Sequence, residues 1–139
     1  MAICKVWIHF VWTTNRRKPV LSETIRPMLF NHITLNSESK KINLDCVNGY
    51  NDHVHALVNL RSTQSISRVI QLIKGESAHW ANENCLLQEE KLVWQDDYIA
   101  ASVSISELEL VRQQILNQEE IHRKISFTQE CREILGFLS

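Results

Sequence analysis

The stretch "GYNDHVHALVNL", Gly49–Leu60, places two histidines in an apolar run directly after a turn-like Gly-Tyr-Asn-Asp. The preceding run, "INLDCVNGY", is also apolar in pattern, so the two runs predict short strands joined as a hairpin. Side chains alternate along a strand, which puts His53 and His55 on one face, roughly 6.5 to 7 Å apart. Val54, Ala56 and Val58 then lie on the opposite face of this strand, where we expect them to pack into a core.

The rest of the chain predicts further strands and helices around this hairpin. The β-branched and aromatic run "ICKVWIHFVWTT" predicts a first strand, and "LVWQDDYIAASVS" predicts a fourth. Helical spacing predicts one helix opened by Ser22 and a second that begins at Ser65. Ser106 with Glu109 forms a capping-box start for a third helix to about Arg123, and a short closing helix is predicted from Thr128.

This element order, β-α-β-β-α-β followed by a helix, predicts an α+β fold of the ferredoxin-like split βαβ type. We expect an antiparallel sheet of four to five strands, with helices on one face and a C-terminal helix that carries the candidate site positions. A fold of this type does not by itself define a function.

Composition is that of one globular domain, which we expect to span residues 1–139. The chain has 44% hydrophobic and 22% charged residues, only three glycines and two prolines, and a net charge of −1. It contains no apolar run near the roughly 18 residues of a membrane span and no recognisable signal peptide, so we expect a cytoplasmic protein with no membrane association. Its four scattered cysteines predict reduced thiols rather than disulfides or a zinc site.

The two histidines permit metal chemistry, because imidazoles that share a strand face can converge on one divalent cation. A single buried histidine is more often a packed core residue, but two on one face each need polar partners. A third donor is available in the third helix, where Leu108, Val111 and Ile115 form an apolar stripe that Gln118 continues. Gln114 lies one turn earlier at the edge of the same stripe. The alternative is that both amides extend to water.

Basic residues form local clusters despite the near-neutral total charge. Arg16, Arg17 and Lys18 follow each other in the first turn, and Arg68 and Lys74 lie in the second predicted helix. Such cations can follow the phosphates of a nucleic acid, and the alternative is an ordinary solvated surface.

Several ordered blocks resemble the HUH-type single-tyrosine transposases, in particular the REP-associated tyrosine transposases and small bacterial insertion-sequence transposases. These blocks are Asp52-His53-Val54-His55, Lys74-Gly75, "VWQDDY", "ILNQEEIH" and the opening "IHFVWTTNRRKPVL". The resemblance implies that His53, His55 and Gln118 hold one Mg²⁺ or Mn²⁺, which polarises a phosphate of single-stranded DNA. It further implies a tyrosine nucleophile that forms a 5′-phosphotyrosine, a homodimer, and recognition of a DNA hairpin.

This chain departs from the family pattern at the nucleophile, because Gln114 occupies the position of the tyrosine. A primary amide has no ionisable oxygen to attack phosphorus. Tyr98 is the obvious substitute, although a sheet or groove residue that stacks on a DNA base is the plainer interpretation, and Trp94 could stack likewise. Tyr50, Ser102 and Ser104 are weaker candidates for the attacking group.

We therefore predict a transposase-family protein that binds single-stranded or hairpin DNA and whose strand cleavage and joining are impaired. The alternative is a domesticated hairpin-binding protein without chemistry. A histidine-triad nucleotide hydrolase is disfavoured, because Leu57 occupies the position of its further histidine.

Overall fold

The structure, a computed structural model, describes residues 2–136. These described residues form four strands and five helices. The strands are β1 (Val6–Thr13), β2 (Asn43–Gly49), β3 (His53–Leu60) and β4 (Ile99–Val103). The helices are α1 (Ile25–Ser39), α2 (Ile66–Glu83), α3 (Leu108–Leu116), α4 (Gln118–His122) and α5 (Phe127–Ile134), with short 3-10 turns at Asn15–Arg17 and Ile105–Glu107.

The strands form one antiparallel sheet in the order β2-β3-β1-β4. The hairpin predicted around Gly49–Asp52 joins β2 to β3, and β3 lies in the interior of the sheet beside β1. In this register Val11 pairs with His55 and Thr13 with His53. The predicted α+β architecture with a four-stranded antiparallel sheet is therefore confirmed.

The two faces of the sheet have different environments. One face packs with α1 and α2 into the main core, which includes Phe10, Trp12, Val54, Ala56 and Val58. The other face carries the histidines, and there Leu57 packs against Leu108 and Ile115 of α3. Because neighbouring residues of a strand point to opposite faces, β3 can fill the core with one set and build a polar site with the other.

Local sequence signals locate some element boundaries well and others poorly. Ser65 caps α2, accepting a hydrogen bond from the backbone N–H of Arg68. The predicted capping box at Ser106 and Glu109 is wrong: α3 begins at Leu108 after a 3-10 turn, without a side-chain cap. The predicted single helix to Arg123 is also interrupted at Asn117, which separates α3 from α4.

Two further features bear on the expectations from composition. All four cysteines are free thiols, and Cys85 is exposed. None of the helices within residues 2–136 is long and apolar enough to cross a membrane.

Candidate functional site

His53 and His55 project from β3 into a closed polar cluster covered by the C-terminal helices. Gln118 at the start of α4 and Glu130 in the middle of α5 meet the two imidazoles there. Each of these four side chains is fully buried. Buried polar groups require hydrogen-bond partners, so the contacts among them hold the cluster together.

Both ring nitrogens of each strand histidine have a partner. The Nδ1 atom of His53 lies 2.7 Å from Asp52 Oδ1, and its Nε2 atom lies 2.8 Å from Gln118 Oε1. For His55, Nδ1 lies 2.9 Å from His9 Nε2 and Nε2 lies 3.1 Å from Glu130 Oε1. Metal-binding histidines show the same arrangement, in which the nitrogen away from the ion is fixed by a second polar group.

Glu130 brings a negative charge into the cluster. Its Oε2 atom accepts hydrogen bonds from Gln118 Nε2 at 2.8 Å and Gln114 Nε2 at 3.3 Å. Burial alone raises the pKa of this carboxyl, but the hydrogen bonds from His55 and Gln118 outweigh burial and hold the pKa well below its usual range. Glu130 is therefore ionised at neutral pH.

A third imidazole, His122 in α4, borders the same carboxylate. Its Nε2 atom lies 3.0 Å from Gln118 Oε1 and 3.2 Å from Glu130 Oε1. Burial lowers the pKa of both His55 and His122, so both rings favour the neutral form that can ligate a metal. Tyr50 stacks on His122, with ring centroids 5.1 Å apart.

The cluster fits a divalent cation. One ligand atom each from His53, His55 and Glu130 lies within 4.8 Å of the other two. Imidazole nitrogen and carboxylate oxygen are common ligands of divalent ions, and full burial shields the three from competing water.

The structure brings four of the sequence-predicted site residues together and separates a fifth. His53, His55, Gln118 and Gln114 belong to this one cluster. Tyr98 lies on the other side of the sheet, where its ring packs 6.4 Å from that of Phe10 in the main core. Tyr50 is thus the tyrosine next to the histidines.

The basic residues proposed as DNA contacts also fall into two groups, one beside the histidine cluster and one on α2. Arg17 lies beside the site, with its Nε atom 3.2 Å from Asp52 Oδ2. Lys18 pairs with Glu90 at 2.8 Å, and Arg16 is exposed in the same turn. Arg68 is exposed on α2, and Lys74 of the same helix donates to the backbone carbonyls of Gln95 and Asp96.

Trp94, named from the sequence as a possible stacking residue, is buried. Its indole N–H donates to Ser77 Oγ, and its ring packs edge-on against Trp12 in the main core. Burial disfavours the stacking of Trp94 on a DNA base, because only 8% of its surface is exposed.

Sequence reasoning missed Glu130, His122 and His9, although a signal exists for two of them. Glu130 stands between Phe127 and Ile134 at helical spacing, so a carboxylate occupies a position in an apolar stripe. His9 interrupts the otherwise apolar run Val6–Trp12 of β1. Each is the same kind of anomaly that identified Gln118.

Comparison with known proteins gives one family and a set of similar folds. The family model described as "Transposase IS200 like" matches residues 2–118. A protein from Deinococcus radiodurans assigned as a transposase aligns with a TM-score of 0.69 and 21% identity, covering 84% of this chain and 93% of that one. A REP-associated tyrosine transposase bound to a REP hairpin aligns with a TM-score of 0.55 and 14% identity, covering 83% of this chain but only 65% of that one. Among curated proteins, none matches the chain.

Proposed function

Because the chain belongs to the IS200-like transposase family, we propose that it binds single-stranded or hairpin DNA beside a metal-binding histidine site whose cleaving tyrosine is missing. The observation that carries this proposal is that position 114 holds a glutamine, whose side-chain amide donates a hydrogen bond to Glu130 inside the cluster. The family resemblance implies a tyrosine at this position. The chain thus has the ligands of the family site without its nucleophile.

Hairpin DNA is the proposed partner for two reasons. The REP-associated relative with a similar fold is bound to a REP hairpin. In addition, the basic turn of this chain lies beside the histidine cluster, because Asp52 contacts both Arg17 and His53. Phosphates held by Arg16, Arg17 and Lys18 would lie next to the site.

His53, His55 and Gln118 would hold Mg²⁺ or Mn²⁺, and Asp52 and His9 fix the orientation of the two imidazoles. When bound, such an ion supplies a Lewis acid that polarises a phosphate oxygen. Strand cleavage also requires a nucleophile, and the Gln114 amide cannot form a covalent bond to phosphorus as a phenolate does. Cleavage and joining of DNA are therefore impaired in this chain.

A second candidate function is hairpin binding without any chemistry. It is favoured by the closure of the site, since no surface of His53, His55, Gln118 or Glu130 is exposed. A scissile phosphate could reach these groups only if the covering helices moved.

The test compares strand cleavage by the unmodified protein, Gln114→Tyr and Gln114→Phe. Each protein is incubated with end-labelled hairpin DNA carrying single-stranded flanks and Mn²⁺, and the products are separated on a denaturing gel. A cavity of about 300 Å³ next to Gln114, lined also by His9 and Ser102, gives a larger ring room to fit. The phenylalanine variant is the matched control, because it adds the ring without the hydroxyl.

We expect a covalent protein–DNA product only from Gln114→Tyr, which would show an intact site that lacks its nucleophile. Hairpin binding by all three proteins without cleavage supports the second candidate. Cleavage by the unmodified protein would contradict impairment and direct attention to Tyr50, which Tyr50→Phe then tests. Absence of hairpin binding by all three would contradict both candidates.

We also propose that the protein acts as a homodimer, as the resemblance implies. Light scattering during gel filtration measures the mass of the assembly, and a mass of one 16.2 kDa chain would contradict the dimer.

A further inference from the structure

The Lys74-Gly75 pair of α2 and Tyr98, just before β4, take no part in the histidine cluster. They line one cavity of about 480 Å³ between α2 and the segment that leads into β4. This cavity, the Tyr98 cavity, lies on the side of the main core, so the sheet separates it from the histidines. Small-ligand sites typically have volumes of roughly 300 to 1,000 Å³, so the Tyr98 cavity is large enough to hold a ligand.

Gly75 keeps the Tyr98 cavity open. It lies in the interior of α2, where glycine destabilises a helix relative to alanine. A Cβ atom at this position would meet nothing within 4 Å, so no neighbouring protein atom requires the side chain to be absent. Because Gly75 lines the cavity, a side chain there would enter the space that a ligand needs. An occupant of the cavity explains this glycine, whereas the packing of the chain does not.

Tyr98 gives the cavity an aromatic wall. Its side chain is 38% exposed, although it is supported from the core by the edge-on ring of Phe10, with ring centroids 6.4 Å apart. The Nζ atom of Lys74 lies 5.9 Å from the centroid of the Tyr98 ring, and the buried Ile70 adds an apolar surface to the lining. A supported and partly exposed aromatic ring is the usual platform on which an unpaired base stacks.

Polar side chains complete the lining of the cavity. Gln71 comes from α2, and Gln95 and Asp96 come from the segment before β4. Lys74 holds this segment in place, donating to the carbonyls of Gln95 at 2.6 Å and Asp96 at 3.1 Å. An amide both donates and accepts hydrogen bonds, whereas a carboxylate only accepts them. The combination of an aromatic wall and a polar rim matches a nucleobase, which has apolar faces and a hydrogen-bonding edge.

The cavity adjoins the basic turn that we propose as the phosphate contact. The backbone N–H of Arg16 donates to Gln95 Oε1 at 3.4 Å, and the backbone N–H of Gln95 donates to the carbonyl of Thr13 at 2.9 Å. A DNA strand whose phosphates lie on the basic turn can therefore reach the cavity without crossing the sheet. In such an arrangement the phosphate contacts position the strand and the base contacts specify its sequence.

We propose that the Tyr98 cavity binds one unpaired base of the DNA strand held by the basic turn. The base stacks on Tyr98, and its polar edge contacts Gln71 and Asp96. Because the carboxylate of Asp96 only accepts hydrogen bonds, it favours a base with an amino group, which adenine, cytosine and guanine have and thymine lacks. The inference rests on the DNA binding of the proposed function and adds a place where the sequence of the strand is read.

The experiment measures the affinity of the full-length protein for two DNAs by fluorescence anisotropy. One DNA is a hairpin with single-stranded flanks, and the other is a blunt duplex of the same stem, which offers no unpaired base. The variants are Tyr98→Ala, Tyr98→Phe and Gly75→Leu. The matched control is His79→Leu, at an exposed position of the same helix that does not line the cavity. In parallel, 5-iododeoxycytidine is placed at each unpaired position in turn, and the peptide that it cross-links under light is identified by mass spectrometry.

We expect Tyr98→Ala and Gly75→Leu to weaken binding of the flanked hairpin by roughly five- to a hundredfold and to leave binding of the duplex unchanged. Tyr98→Phe keeps the ring face, so it should bind as the unmodified protein does, and so should His79→Leu. One unpaired position should cross-link to Tyr98, and Gly75→Leu should abolish this cross-link. Thymine at that position should weaken binding, and Asp96→Asn should reduce the preference because an amide also donates. Circular dichroism checks that each variant folds.

Three results would overturn the base site while leaving the proposed DNA binding in place. These are unchanged binding of the flanked hairpin by both Tyr98→Ala and Gly75→Leu, equal losses on the hairpin and on the duplex, and no cross-link from any unpaired position to Tyr98. Failure of the unmodified protein to bind either DNA would overturn the proposed function and the base site together. The failure of base recognition and the failure of DNA binding are therefore distinguishable.

Discussion

At the scale of single residues, Gly49 sets the approach of β2 to the strand that carries the histidines. A Cβ atom at this position would overlap the carbonyl oxygen of His53 and lie 3.0 Å from the Cα atom of Val54. Both obstacles are backbone atoms, so a side chain can fit only if β3 moves. We expect Gly49→Ala to lower the free energy of unfolding by about 1 to 3 kcal/mol, as measured by urea denaturation.

Gly75 is the matched control for this substitution. It lies in the interior of α2, and a Cβ atom there meets nothing within 4 Å. Alanine is favoured over glycine within a helix by about 0.5 to 1 kcal/mol, so Gly75→Ala should raise the free energy of unfolding. Equal effects of the two substitutions would contradict the steric role of Gly49.

The thiols differ in reactivity for a physical reason. Burial and the neighbouring charge of Asp45 raise the pKa of Cys46 to about 12, whereas Cys85 is exposed. Only the thiolate reacts, and at pH 8 its fraction at Cys46 is on the order of 10⁻⁴. We expect iodoacetamide to label Cys85 first, with Cys46 labelled only after unfolding, as followed by mass spectrometry of peptides. Early labelling of Cys46 in folded protein would contradict the raised pKa.

The candidate site could be predicted from the sequence only where a polar residue interrupts a recognisable apolar pattern. His53, His55 and Gln118 were identified in this way, and the structure places them together. Glu130 lies 75 positions from His55, yet the two side chains are in contact. No spacing rule links residues on β3 and α5, because tertiary packing brings them together.

At the scale of elements, signals within a few residues were reliable at some boundaries and failed at others, such as the capping box at Ser106. The hairpin before His53 and the cap at Ser65 are local, and both are observed. Met28 and Leu35 are apolar residues of α1, yet they are 46% and 58% exposed. Their exposure depends on how α1 packs on the sheet, a property that helical spacing does not contain.

The segment between α2 and β4 is held by one side chain of α2. Asn82 donates to the carbonyl of Leu92 at 3.0 Å and accepts from the N–H of Leu92 at 2.7 Å. Beyond Leu92, this segment hydrogen-bonds to the end of β1 and to the basic turn through Val93 and Gln95. Asn82→Ala removes both hydrogen bonds. We therefore expect it to lower the free energy of unfolding, measured by urea denaturation, by about 1 to 3 kcal/mol.

Asn84→Ala is the control for this prediction. Asn84 is an exposed asparagine at the end of the same helix, and its side-chain amide donates to the carbonyl of Trp80. Its replacement should cost less than about 1 kcal/mol. A cost as large as that of Asn82→Ala would indicate that the end of α2, rather than the contact with Leu92, determines stability.

At the scale of the whole molecule, the sheet separates two groups of candidate DNA contacts. Arg68, Lys74 and Tyr98 lie on or beside α2, whereas the basic turn lies at the end of β1, where Thr13 pairs with His53. Lys74 is already engaged by backbone carbonyls, so it contributes to the fold. A strand of DNA at the histidine site would therefore meet the basic turn first.

The salt dependence of hairpin binding tests this placement. Each phosphate contact to single-stranded DNA contributes about 0.7 to the slope of log affinity against log salt concentration. If Arg16, Arg17 and Lys18 all contact phosphates, their joint replacement by alanine should weaken binding and reduce the slope by about 2, measured by fluorescence anisotropy over a range of KCl concentrations. The matched control replaces Lys5, Lys40 and Arg61, which removes the same charge near the opposite ends of β1 and β3. Because a phosphate contact requires proximity rather than net charge, the control should leave the slope unchanged. Equal losses of affinity and slope in the two triple variants would mean that the basic turn is not the contact surface.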